Sequence, residues 1–429
     1  MTRPWSRASR KDGDILMVTL VVVLIVLGCT AFQYLKGTFI RAFATFIVTI
    51  SACIVAFSFF EVLTSLLIGG PDSSLKFIPP PWMQTLVFLL LFLLSFAILQ
   101  TLAQYLTRKD VNLGVWPEGI GRVVCGSLSG LVLSSFLITA AAMAPLPNKY
   151  PYQRFDPIRP DAWRPNKILF NTDALAPGLF AKISDGSLSG KRSFATLHPA
   201  FLDQLFLNRH GIDKDVPPIT SQQAITVPGK NAAWYAPEDL KDSQGNPITP
   251  QTGYNLMFVR VGIKKNAVTE AGIFTPSQLR LICKRQTGSE NPFKGKGQNI
   301  YPIGYMIARD TLQLTRLIDL INVTREDFAG NEREKWIDFV FYVPTGYTPV
   351  ILQFKLNSIV QVPTLVTTEQ APTPIPFIPS STGRQDTAKQ GDTSGQQTNR
   401  PKRQNNTTEG TGLTPLTRTL VAPPLDDYK

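Results

Sequence analysis

The residue best placed to do chemistry in this chain is a carboxylate in an apolar run. Glu61 lies near the end of the segment Phe39 to Ile68, Arg41 lies near its start, and Arg122 opens a later apolar segment. A charge at the centre of a bilayer costs at least about 2.5–3.5 kcal/mol, so deep charges mark ion or proton paths and rim charges act as anchors. Arg41, Glu61 and Arg122 are therefore the candidate residues of a polar path. The chain has two histidines, His198 and His210, with no carboxylate pattern of metal-ligand spacing beside either, which predicts structural roles and no metal. In Asp185-Gly186-Ser187-Leu188-Ser189-Gly190-Lys191-Arg192 the first glycine of a phosphate loop is replaced by Asp185, and Arg192 stands where a hydroxyl should meet magnesium. Gly126-Ser127-Leu128-Ser129-Gly130 lacks the central serine of a nucleophile elbow. No nucleophile and base share a useful spacing, so the reading is of a chain that is not an enzyme and uses no cofactor.

The elements that must position these residues change character near Pro145. Before it, four stretches are apolar enough to cross a membrane: 15–35, 39–68, 82–106 and 121–143. Each reaches the roughly 20 residues that a helix needs to span the hydrocarbon core. Gly69-Gly70-Pro71-Asp72 ends the second, and Pro79-Pro80-Pro81 leads to Trp82 at headgroup level. Gly121, Gly126 and Gly130 give the fourth a face on which another helix can approach closely, within the bundle in preference to a dimer seam. Both arrangements predict damage from a bulky residue at Gly126 or Gly130. The net charge of +12 is scattered, and its densest run, Arg400-Pro401-Lys402-Arg403, lies in a low-complexity tail. That pattern argues against nucleic acid and for contact with anionic lipid headgroups. Cys29, Cys53 and Cys125 fall in apolar spans, which leaves Cys283 without a disulfide partner in the later region.

Beyond a basic amino-terminal tail (1–14) and the four-helix transmembrane region (15–145), the reading divides the chain into three parts. Residues 146–250 form an irregular, proline-rich segment with one short helix from Pro199 to Asn208. Residues 251–366 form a mainly-β sandwich, because apolar residues alternate in Met257-Val259-Val261-Ile263, Leu279-Leu281-Cys283, Ile337-Phe339-Phe341-Val343 and Val350-Leu352-Phe354-Leu356. Residues 367–429 hold too little apolar surface to offset the entropy of ordering and are expected to be disordered.

Two resemblances sharpen this reading. Lys36-Gly37-Thr38-Phe39-Ile40-Arg41 at the start of the second span, and Gly121-Arg122-Val123-Val124-Cys125-Gly126 at the start of the fourth, resemble the colicin V production protein (CvpA) family. The resemblance covers roughly residues 14–145 and implies a four-helix inner-membrane protein linked to toxin export and envelope upkeep. This chain departs from that family in having Gly121 where an acidic residue is usual, and in the size of its second region. The strands Phe258 to Lys264, Gln278 to Arg285 and Asp338 to Pro344 look like Ig-like envelope accessory domains, which implies an extracytoplasmic spacer or docking surface.

The expected protein is thus a four-helix transmembrane bundle joined to an Ig-like sandwich with a disordered tail. The leading expectation is a non-catalytic envelope scaffold with lipid and protein partners, including a homo-oligomer; the second is a transport or channel subunit. The orientation evidence is divided. Arg3, Arg7, Arg10 and Lys11 favour a cytoplasmic amino terminus, whereas Lys36, Arg41, Arg108, Lys109 and Arg122 favour cytoplasmic connections at the other end. Val26-Leu27-Gly28-Cys29 resembles a lipoprotein signal, but Leu27 stands where a smaller residue is usual, so an uncleaved first helix is preferred.

Overall fold

Long unbroken apolar runs in a medium without water must satisfy every backbone group internally, and helices do so. The computed structural model describes residues 5–68, 79–107, 114–186, 193–237, 239–285, 291 and 293–379. Four long helices come first: α1 (Trp5–Lys36), α2 (Phe39–Ile68), α3 (Pro80–Leu106) and α4 (Val115–Met143). Each contains a window long and apolar enough to cross a membrane: Gly13–Leu35, Phe39–Leu67, Pro80–Leu106 and Trp116–Met143. They pack in the order α1, α4, α2, α3, which makes α4 the most enclosed and leaves α1 with most of its surface turned outward. The turn at Gly69 to Asp72, the pair Arg108 and Lys109, residues 187–192 of the loop-like stretch, and the tail from residue 380 lie outside the described residues.

The segment after α4 is not the irregular spacer the composition suggested. A 3-10 turn (Leu169–Ala174) leads into α5 (Leu175–Asp185), α6 (Phe194–Leu197) and α7 (Phe201–Asn208). These short helices cap one end of the bundle, because their aromatic residues complete its core. Phe57 of α2 stacks on Phe180 at 5.3 Å and meets Phe194 and Phe201 edge-on. Arg209 fixes the exit from α4 by donating to the carbonyls of Leu146 at 2.7 Å and Pro147 at 2.6 Å. Single helices of 4 to 11 residues carry little periodic signal, and their prolines read locally as breakers.

Thirteen strands follow among the described residues: β1 (Ile225–Thr226), β2 (Ala233–Tyr235), β3 (Lys241–Asp242), β4 (Tyr254–Lys264), β5 (Ile273–Phe274), β6 (Leu279–Arg285), β7 (Gln298–Ile300), β8 (Pro302–Met306), β9 (Thr311–Leu314), β10 (Ile321–Asn322), β11 (Glu334–Pro344), β12 (Tyr347–Phe354) and β13 (Ser358–Gln361). The larger sheet runs β1-β4-β11-β8-β9-β3, with β2 also paired to β4, and the smaller runs β13-β12-β6-β7. Pairing is antiparallel except between β3 and β9. The two sheets enclose one core, built from the alternating residues Met257, Val259, Val261 and Ile263 of β4, Ile337, Phe339, Phe341 and Val343 of β11, and Leu279, Leu281, Leu352 and Phe354 opposite them. The strands begin at Ile225, so the sandwich takes in part of the stretch assigned to the spacer.

Two further expectations are corrected. A register shift between Pro349 and Ile351 breaks the alternation in β12, so Val350 joins a separate outer cluster with Ile282 and Ile351. Leu356 falls in a turn at φ 65° and packs toward the helical core. The tail also starts later than composition implied. Residues 371–379 lie on the sandwich: Ile375 donates to Asp338 at 2.7 Å, Thr373 accepts from Arg260 at 2.7 Å, and buried Phe377 packs on Tyr305. One aromatic side chain and a few backbone partners anchor a strap that its proline and threonine content hides.

Candidate functional site

The site lies where the capping helices join the bundle to the smaller sheet. Ser193 caps α6 by accepting from the Ala195 amide at 3.2 Å, and α6 ends at His198. The imidazole is wedged between the rings of Phe194 and Phe201, at 4.8 and 4.9 Å, and is almost wholly buried. Its Nε2 lies 2.7 Å from Oε1 of Glu61 on α2. Its Nδ1 lies 2.9 Å from the Gln204 side-chain oxygen, whose amide nitrogen in turn donates to Gln353 of β12 at 2.7 Å. That orientation makes Nδ1 the donor to Gln204 and leaves Nε2 facing the Glu61 carboxylate.

Arg280 of β6 completes the chain. It donates to the Gln353 oxygen at 2.6 Å, to the Asn299 side chain and to the Leu197 carbonyl, and its guanidinium stands 3.4 Å from His198. Burial lowers its pKa to about 10, against the raising influence of Tyr301 and Glu61, so it stays charged at neutral pH. A continuous line of polar contacts thus runs from a membrane helix, through His198 and Gln204, into the sheet. In a low-dielectric interior such a line specifies one arrangement, because each unpaired member would be costly.

A second buried cluster lies beside it. Arg154 binds Asp173 at 2.5 Å and Asp203 at 2.5 Å, and donates to the Tyr152 hydroxyl at 2.6 Å, while that hydroxyl donates to Asp173. Burial alone would lower the Arg154 pKa, but Asp203, Tyr152 and Asp173 together raise it. Between the two clusters opens a cleft of about 390 Å³, lined among others by Trp163, Lys167, Asp203, Lys296 and Tyr301. Its volume falls in the range of small-ligand and peptide-side-chain pockets. Among the described residues no three His, Cys, Asp or Glu side chains are grouped to hold a metal ion.

The residues singled out by sequence divide between the two ends of the bundle. Glu61 belongs to the junction. Arg41 lines a recess of about 550 Å³ at the opposite end, with Gln33, Thr45 and Gln100. Arg122, at that same end, pairs with Glu118 of its own helix and donates to the Tyr34 carbonyl at 3.3 Å. Between the ends the bundle is filled by rings: Phe57 meets Phe88 at 5.0 Å, and Phe136 meets Phe88 at 4.4 Å and Phe92 at 4.1 Å. Glu61 is not brought together with either arginine.

The glycines each receive a neighbour. A methyl group on Gly126 would stand 2.7 Å from the Thr30 Cα, and one on Gly130 would stand 2.7 Å from the Val26 Cα, so α1 occupies this face. Gly121 receives the ring of Phe39. His198, Arg280, Gln204 and Gln353, and the cluster around Arg154, were not legible as a site. Their partners are far apart in sequence, and no short spacing announces them.

No curated protein and no solved structure matches this chain. The family model described as Colicin V production protein matches residues 18–163, so the four-helix region and the start of the segment that caps it are similar to that family.

Proposed function

We propose that this protein is a non-catalytic envelope scaffold or accessory of an export or cell-wall process. Its bundle anchors it, and its sandwich, an Ig-like docking module, receives protein partners. The observation that carries this reading is the line of contacts Glu61, His198, Gln204, Gln353 and Arg280. It couples the sheet to a membrane helix, so a load or a partner on the sandwich acts on the bundle as one body. The cleft beside that line is the natural place for a partner's side chain, with Trp163 and Tyr301 to bury it and Lys167, Lys296 and Asp203 to orient it.

A transport role would need a polar path between Glu61 and the arginines, and the phenylalanines between them favour the scaffold. The full chain reconstituted in liposomes is expected to pass no ions or small solutes under an imposed gradient. A flux that Glu61→Gln abolishes would replace this reading with a transporter.

The proposal places the membrane in the cell envelope's inner layer and the sandwich outside the cytoplasm. The basic residues Lys36, Arg41 and Arg122 gather at the bundle end remote from the sandwich, which supports a cytoplasmic position for that end, against the contrary vote of Arg7, Arg10 and Lys11 at the start of α1. Protease added to spheroplasts should remove the sandwich. Cleavage restricted to inverted vesicles would reverse the orientation.

A further inference from the structure

We infer that the turn and helix start spanning Leu169 to Leu175 dip into the bilayer as a re-entrant element, with Phe170 inserted among the lipid chains. The depth follows from the helix packing. Gly126 lies against Thr30 and Gly130 against Val26, which sets α4 antiparallel to α1. Continued along both helices, that pairing puts Ala142 level with Asp14 and Ser135 level with Val21. Ser135 is therefore seven residues, or about 10 Å, closer to the bilayer centre than the charge that ends the apolar run of α1. At that level the Ser135 hydroxyl donates to the Asp173 carbonyl at 3.0 Å and accepts from the Ala176 amide at 2.7 Å. The segment around Asp173 thus lies beside the membrane part of α4, below its exit.

The side chains and the backbone fit that position. Phe170 is 91% exposed, Leu169 48% and Leu175 40%. Phe170 is presented outward on backbone at φ 56°, a conformation unusual for an aromatic residue and one that a water-facing position would not reward. Irregular backbone at membrane depth is tolerated where its polar groups find partners in the protein, and here they do. The Asn171 amide donates to Ile168 at 2.8 Å, the Thr172 hydroxyl donates to the Leu169 carbonyl at 2.6 Å, and Ser135 takes the next groups. Asn171 itself lines the junction cleft, so the polar side of the turn faces the cleft and the apolar side faces outward. Leu137 of α4, near the same level, is also exposed. Lipid chains are the occupant assigned to Phe170.

The test uses the full chain with Cys29→Ser, since Cys53, Cys125 and Cys283 are buried. A nitroxide is attached to Phe170→Cys, with Leu175→Cys as a second site and Ile378→Cys, 75% exposed on the sandwich, as the aqueous reference. In vesicles of phosphatidylcholine and phosphatidylglycerol, oxygen should relax the label at 170 and 175 several-fold more than a water-soluble nickel chelate does. The order should reverse at 378. Equal access of the chelate to 170, 175 and 378 would overturn the inference. So would a label at 170 and 175 that meets neither quencher, since that would mean burial in protein.

Discussion

Arg154→Ala is expected to disrupt the junction more than any other single truncation outside the four long helices. It removes the cation paired directly with Asp173, whose side chain is fully buried, and with Asp203. Breaking a buried pair from one side leaves an uncompensated charge, at a cost of about 3–5 kcal/mol. Asp173 also positions the turn that Ser135 holds, so the loss should spread to the seat of α5 on α4. Thermal unfolding of the detergent-solubilised chain should show a strongly lowered midpoint for Arg154→Ala. Adding Asp173→Asn to that variant should recover part of the loss, because it removes one of the stranded charges. A midpoint unchanged by Arg154→Ala would mean that the cluster is hydrated and contributes little.

The second large effect is expected at the glycine face. Gly130→Leu places a branched side chain where a single methyl would already stand 2.7 Å from the Val26 Cα, and backbone cannot yield as a flexible side chain can. Overpacking typically costs about 1–3 kcal/mol, and here the cheapest relief is to move α1 away from α4. The Thr30 and Ser127 hydroxyls, 3.1 Å apart, report that separation. In the chain with Thr30→Cys and Ser127→Cys, oxidation should join α1 to α4, and adding Gly130→Leu should suppress the cross-link. Gly28→Leu is the matched control, since nothing lies within 4 Å of a methyl group there. Equal cross-linking in the glycine and leucine versions would show that another surface holds α1.

The features determined by sequence alone are local. Four apolar runs, each long enough to span a bilayer, dictate helices because backbone groups in lipid must pair within their own segment. Met257, Val259, Val261 and Ile263, and Ile337, Phe339, Phe341 and Val343, recur at every second position, and the face they share was legible for that reason. The glycines of α4 likewise announced a close helix contact, although only packing shows α1 as its owner.

Tertiary structure decided the rest. Glu61 reads from sequence as an isolated acid, and His198 as an unremarkable histidine in a proline-rich stretch; the contact between them exists because α6 folds back onto α2. Of the capping helices only α7 was foreseen, as the short helix from Pro199 to Asn208; the others escaped notice because their short faces acquire meaning only against Phe57 and its neighbours. Phe377 read as part of a tail because a single anchoring ring leaves no periodicity. Periodic burial is written into neighbouring residues, whereas pairing between distant charges depends on where whole elements come to rest. The membrane part of this protein was accordingly legible from its sequence, and the junction that couples it to the sandwich was not.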